Sequence, residues 1–390
     1  MATIEFKLRP VNDNPTDDAK LLGHDVIVRT LKDFVESNEM ISSSSVAIHG
    51  DWGTGKTSIM STLHNKLDKS KIEVLFFEAW KYEYTNPSLG LIAEITETYL
   101  RGNAELAKRI VEAAVYILTD KFLGVDIQHL ERIIRGNRQR MTSLTEELKK
   151  IVASIHKRFI IIIDDLDRCD VENALQILAL MKLFLSIDNC VVIAAVDFKR
   201  LQQAWTKKYQ VTDNDKDSRD YLDKIFQIRI AIPVPPLERI REYILSLTEN
   251  MPRELQDIVS VLFPKNPRAI KRILNLISYR SYLLSSPHKI YSSCLWTTLE
   301  QFLGNDVMIR MCQRIAMQSN LVDFIFVGNW EHSQNTLNKV CARELLDKID
   351  MEGLKMFIEQ SNRLVKAQKI IRSDLEKDFD TLFLNTNEYS

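Results

Sequence analysis

Two apolar rhythms alternate along the first 236 residues of this chain. Short unbroken runs predict strands over Ser45–His49, Glu73–Trp80, Arg158–Ile163, Asn189–Val196 and Gln227–Ile232. Between them apolar residues recur at helical spacing, as Ile59, Leu63 and Leu67 do at i, i+4 and i+8. Ser88–His156 reads as helical throughout, with segments over Ala104–Phe122 and Gln128–Lys150, and Glu172–Leu185 predicts another helix. Asp18 suits an N-cap for a first helix carrying Leu22, Ile27, Leu31 and Val35. Continuous apolar strands alternating with helices indicate a parallel sheet covered on both faces. A proline stop at Pro233, Pro235 and Pro236 ends this pattern, and the rest reads as helical. The expected division is a polar leader over 1–19, a core over 20–236 with a helical insertion near 88–156, a helical lid subdomain over 237–290, and a helical extension over 291–390.

Composition narrows the class. The chain has 390 residues, too many for one compact core, and 45% of them are hydrophobic. Lys and Arg number 52 against 53 Asp and Glu, so no net basic field favours nucleic acid or acidic lipid. No apolar run nears the roughly 20 residues of a membrane helix. The N-terminus lacks the apolar stretch of a signal peptide. Five scattered cysteines without a paired spacing argue against disulfides and zinc, and point to a reducing, cytoplasmic setting.

The strongest chemical signal is Gly50-Asp51-Trp52-Gly53-Thr54-Gly55-Lys56-Thr57, followed by Ser58. It matches GxxxxGK(S/T) and lies between a predicted strand and a predicted helix, the context that a phosphate-binding loop requires. Its glycines let backbone N–H groups face a β-phosphate at a helix N-terminus. Lys56 would reach the β- and γ-phosphates, and Thr57 would ligate Mg²⁺. A second strand, Phe159–Ile163, runs into Asp164 and Asp165. Asp164 would hold the Mg²⁺ shell, while Asp165 would orient or deprotonate an attacking water. For Asp165 the competing role is a helix cap. For Asp167 and Arg168 a local salt bridge competes with catalysis.

GDWGTGKTS, FFEAWKYE, IIIIDDLDRCD, VVIAAVDFKRL, YLDKIFQIRIAIPVPP and NPRAIKRILN together resemble the KAP family of P-loop NTPases over roughly residues 20–280. The resemblance implies an α/β three-layer sandwich whose five parallel strands run 5-1-4-3-2. It also implies a sensor position at Asp197, where a helix cap is the alternative, and a transition-state cation at Arg268. At Gly23-His24 it implies an approach to the base, against a plain surface role for His24. Many family members carry membrane helices where this chain has Ser88–His156, which is not apolar enough to span.

Other signals are weaker. Arg132, Arg135, Arg138 and Arg140 could meet nucleic-acid phosphates or a neighbouring subunit's nucleotide, but Glu131, Glu146 and Glu147 nearby favour a solvated face. Strand alternation assigns Phe76, Phe77 and Trp80 to the core rather than to a stacking platform. Cys169 reads as a buried structural thiol. The expectation is an ATPase needing Mg²⁺, with Asp165, Lys56 and Arg268 as catalytic candidates. Slow turnover would switch conformation or assembly in a homo-oligomer, and the family resemblance implies a separate effector and a phage-defence or exclusion setting. A nucleotide-stabilised scaffold and a nucleic-acid-dependent ATPase are the alternatives.

Overall fold

The computed structural model describes residues 8–12, 14–15, 22–37, 43–100, 104–119, 138–209, 222–248, 251–261, 266–285, 288–304, 322, 330–340 and 349–384. The proposed N-cap Asp18 and the basic residues Arg132 and Arg135 lie outside them. The chain forms two compact units, Pro15–Pro233 and Met1–Asn14 with Val234–Ser390.

In the first unit α1 (Asp25–Glu36) precedes β1 (Ser43–His49), α2 (Lys56–Lys66) and β2 (Ile72–Glu78). Then come α3 (Pro87–Tyr99), α4 (Ala104–Thr119), α5 (Arg138–Ile155), β3 (Arg158–Asp164), α6 (Val171–Phe184), β4 (Cys190–Val196), α7 (Phe198–Tyr209) and β5 (Ile228–Ala231). The sheet order is β2-β3-β4-β1-β5, with every pairing parallel. Read from the other edge this is 5-1-4-3-2, as the family resemblance implies.

Alternation along each strand builds the three layers. Phe159, Ile161 and Ile163 of β3 join the cluster under α3, α4, α5 and α6, while Ile160 and Ile162 join the cluster under α1 and α2. Both faces of β3 are therefore dry, which is why its sequence is continuously apolar. β2 ends earlier than expected. Strand structure stops at Glu78, and Ala79–Tyr82 forms a 3₁₀ turn. Tyr82 folds back to stack on Phe77 with ring centroids 5.2 Å apart. Space for it exists because a Cβ at position 90 would lie 2.4 Å from the Tyr82 ring, so Gly90 is required.

The second unit contains α8 (Leu237–Thr248), α9 (Arg253–Val261), α10 (Pro267–Leu283), α11 (Lys289–Leu303), α12 (Trp330–Val340), α13 (Met351–Lys366) and α14 (Arg372–Phe379). Residues 237–290 and 291–390 both fall in this unit. Trp296 of α11 is fully buried, stacks near Phe379 and donates from Nε1 to the Leu375 carbonyl at 3.2 Å. Arg280 of α10 pairs with Glu300 of α11 at 2.7 Å. Part of the leader belongs to this body too. Leu8 is buried, Ser278 Oγ donates to its carbonyl at 2.6 Å, and Asn275 Nδ2 donates to the Val11 carbonyl at 2.9 Å.

Because β3 is packed from both sides, shortening one side chain leaves a void that its neighbours cannot close. Ile161→Ala should cost about 2–5 kcal/mol, read as a lower urea midpoint with an unchanged slope. A midpoint equal to the parent's would contradict the burial of β3.

Candidate functional site

The loop after β1 supplies the first half of the site. Gly53 and Gly55 have φ of 84° and 101°, a region that glycine enters without strain. Gly55 is the residue before α2, so the N–H groups of Lys56, Thr57 and Ser58 open that helix without intrahelical acceptors. Such an end attracts anions. Lys56 is buried, donates from Nζ to the carbonyls of Gly50 at 2.9 Å and Asp51 at 3.3 Å, and lies 3.3 Å from Asp167 Oδ2. Thr54 closes the turn by donating to the Asp51 carbonyl at 2.8 Å, and a Cβ at Gly50 would strike its hydroxyl. The Asp51 carboxylate faces Lys199 at 3.4 Å on the surface, while Trp52 is substantially exposed.

His24 is the unexpected member. It is only 2% exposed, which corrects the surface role weighed from sequence. A Cβ at Gly55 would lie 2.9 Å from its Cε1, so this imidazole rests directly on the loop. Burial holds its pKa below the ordinary histidine value, with Asp25 opposing, and its Nε2 is buried without a hydrogen-bond partner. The contact depends on a missing Cβ 31 positions away, so no local pattern near His24 announces it.

The second half of the site comes from β3. Asp164 pairs in register with Glu78 at the end of β2 and is 1% exposed. Its Oδ1 accepts from the Asp165 N–H at 2.9 Å, the Thr57 hydroxyl donates to its carboxylate, and its Oδ2 has no partner. Burial pushes its pKa up, against those two hydrogen bonds. Asp165 adopts φ 57°, a conformation that Asp tolerates better than most residues but that still holds strain. Its pKa is pushed up to about 6, by burial first and then by Asp164, with Arg168 opposing. Arg168 Nε reaches Asp165 Oδ1 at 2.8 Å. Asp165 therefore stands on the loop beside the site, not as a side-chain cap of the 3₁₀ turn Leu166–Arg168.

The turns after β2 and β3 are interlocked. Glu83 Oε1 accepts from the Asp170 N–H at 2.8 Å, and the Glu83 carbonyl accepts from Asn173 Nδ2 at 3.1 Å. Asn86 caps α3 through the Leu89 N–H and donates to Gln176 of α6 at 2.9 Å. Trp80 is 43% exposed, so strand alternation mispredicts it; the 3₁₀ turn carries its ring out beneath Arg168, whose guanidinium lies 5.9 Å from the ring centre. Phe77 is buried and Phe76 partly so. Cys169 is half-buried, with its thiol pushed up by burial, as a structural thiol would be.

Other candidates sit elsewhere. Asp197 follows β4 and accepts from the Arg200 N–H at 3.1 Å, the capping arrangement rather than a contact to the loop. Arg268 lies in the first turn of α10, in the second unit, behind an Asn266 side chain that accepts from its N–H at 3.1 Å.

A strand–glycine loop–helix unit, one strand removed from a strand that runs into paired aspartates, on a five-stranded parallel sheet of this order, defines a P-loop NTPase core. The model described as the KAP family P-loop domain matches residues 24–284, and the chain belongs to that family. It is 19% identical over 299 residues to the phage T7 exclusion protein of Escherichia coli strain K12, covering 65% of this chain and 38% of that protein. A 42-residue stretch is 52% identical to an uncharacterized protein of Methanocaldococcus jannaschii, covering 11% of this chain and 22% of that one. The chain thus spans about two fifths and one fifth of the lengths of these relatives. Among solved structures it is similar to the Aeropyrum pernix ORC1 protein in complex with DNA, with 10% identity, TM-score 0.43, and 95% and 96% of the two chains covered. A Thermotoga maritima RuvB variant is similar at 11% identity, TM-score 0.39, with 89% and 88% covered. Among the described residues no helix is long and apolar enough to cross a membrane.

Gly55→Ala combines the unfavourable φ with the His24 collision, and should destabilise the first unit by about 1–3 kcal/mol in thermal unfolding. His24→Ala carries its own packing loss, but in that background Gly55→Ala should cost less than in the parent, because only the φ penalty remains. An equal cost of Gly55→Ala in both backgrounds, or no loss in the single variant, would contradict this geometry.

Proposed function

We propose that this chain binds ATP with Mg²⁺ in the Gly50–Thr57 loop and hydrolyses it slowly. The observation that carries the reading is the orphaned Oδ2 of buried Asp164 beside the Thr57 hydroxyl, at the N-terminus of α2. A carboxylate oxygen buried without a partner is costly, and an oxygen-seeking divalent cation satisfies it. Asp164 and Thr57 would hold Mg²⁺, which when bound offsets the negative charge of the phosphates.

The chain's own groups have distinct tasks. The N–H groups from Gly53 to Ser58 cradle the β-phosphate. Lys56 exchanges its carbonyl and Asp167 contacts for the β- and γ-phosphates, so its cation is already at the loop before nucleotide arrives. Asp165 orients the attacking water and accepts its proton at a carboxylate oxygen. Burial raises the proton affinity of this carboxylate above that of an ordinary aspartate, which favours its acting as an acceptor. Arg268 is the proposed second cation. It is carried in the first turn of α10, at the start of a helix that opens on Pro267.

We further propose that turnover switches conformation or assembly, with output through a separate effector. Similarity to the phage T7 exclusion protein supports a phage-exclusion setting.

Lys56→Ala should lose most ATP affinity in calorimetry, whereas Asp165→Asn should bind ATP as the parent does and turn over about 10²-fold slower or worse. Parental affinity in Lys56→Ala would sink the loop assignment. A parent that releases no phosphate under any condition would favour the scaffold reading.

A further inference from the structure

Four charged groups follow or face the β3 terminus, and they pair without crossing. Lys56 faces Asp167 at 3.3 Å, while Arg168 holds Asp165 at 2.8 Å. The second pair is an i, i+3 contact across a 3₁₀ turn, with the Arg168 side chain about one third exposed. As a surface ion pair it would add little to stability, too little to explain the machinery that supports it.

That machinery is extensive. The guanidinium lies over Trp80, which buries one side of it against a planar ring. The turn that carries Trp80 is pinned at three points: Tyr82 stacked on Phe77 in the space above Gly90, the Tyr82 hydroxyl donating to Glu94 at 2.6 Å, and Glu83 tied to Asp170 and Asn173. Arg168 is fixed from its own side as well, since its N–H donates to the Asp165 carbonyl at 3.1 Å. One guanidinium thus ties the segment after β2 to the acid after β3.

We propose that Arg168 is a positioning residue for the Asp165 carboxylate, with Trp80 as its seat. The inference rests on the hydrolysis reading above, in which Asp165 acts on water. Asp165 sits in a strained backbone conformation, and its carboxylate needs a second anchor to keep one orientation. Arg168 supplies that anchor through Oδ1. The same arrangement explains why the FFEAWKYE and DDLDRCD segments occur together in this chain: each holds the other in place.

The test is a set of full-length variants assayed for ATP affinity by calorimetry and for steady-state phosphate release. Arg168→Met should leave ATP affinity within about threefold and lower kcat by about 10- to 10²-fold, the scale of a misplaced reacting group. Arg168→Lys should recover part of kcat, because a cation can still reach Oδ1. Trp80→Leu should fall between the parent and Arg168→Met. The double variant Asp165→Asn with Arg168→Met should be no slower than Asp165→Asn alone, since Arg168 acts through that carboxylate. Losses that multiply in the double variant would mean that Arg168 acts on the nucleotide itself, and would overturn the positioning role. Parental kcat in Arg168→Met would overturn the proposal while leaving the hydrolysis reading intact. A parent without phosphate release would overturn the hydrolysis reading, and this proposal with it.

Discussion

A strand buried on both faces must end somewhere, and β3 ends on carboxylates. Phe159 to Ile163 are all fully buried, so the sheet carries Asp164 to the boundary of a dry core with almost no solvent around it. Removing a charge from water is expensive unless it gains partners. The surrounding structure is arranged to provide those partners: a backbone N–H and the Thr57 hydroxyl for Asp164, Arg168 for Asp165, and Lys56 for Asp167. One oxygen, Oδ2 of Asp164, is left over. In this account that oxygen is the basis of function, because it leaves the end of β3 open to a cation.

The two cations already present differ in what they can do. Lys56 is a compact ammonium held mostly by backbone carbonyls, so exchanging those contacts for phosphate oxygens needs only a small movement. Arg168 is planar, lies over a ring and points at one acid, which suits a fixed geometrical role. His24 adds a third contact from before the sheet begins, pressing on Gly55 where the loop becomes α2. Loop, acids and flanking segments are therefore mutually braced.

Much of this was legible in the chain. The strands stand out because burial on both faces enforces unbroken apolar runs, and the glycine loop stands out because its backbone conformations exclude other residues. Asp164 and Asp165 were recognisable as polar residues ending such a run. Three features were not. The pattern carries β2 through to Trp80 because β-forming residues continue past Glu78; the turn there depends on Gly90, eight residues or more beyond. His24 looked like a surface residue because its burial comes from the absence of a side chain at Gly55. The packing of Trp296 on Leu375 and Phe379 is the third, because nothing local reports it. Each is a contact that the local pattern of the chain does not encode. Strand order, too, came from family resemblance, since periodicity does not encode which strands are neighbours.

The central claim is that Asp165 directs water to the terminal phosphate of ATP held in the Gly50–Thr57 loop. It is tested most directly by incubating the full chain with Mg²⁺ and ATP in heavy-oxygen water and weighing the released phosphate by mass spectrometry. The account predicts one solvent oxygen in each phosphate released, about 10²-fold less of that product from Asp165→Asn protein, and none from Lys56→Ala protein. Phosphate released without a solvent oxygen, or formed equally by the Lys56→Ala protein, would contradict it.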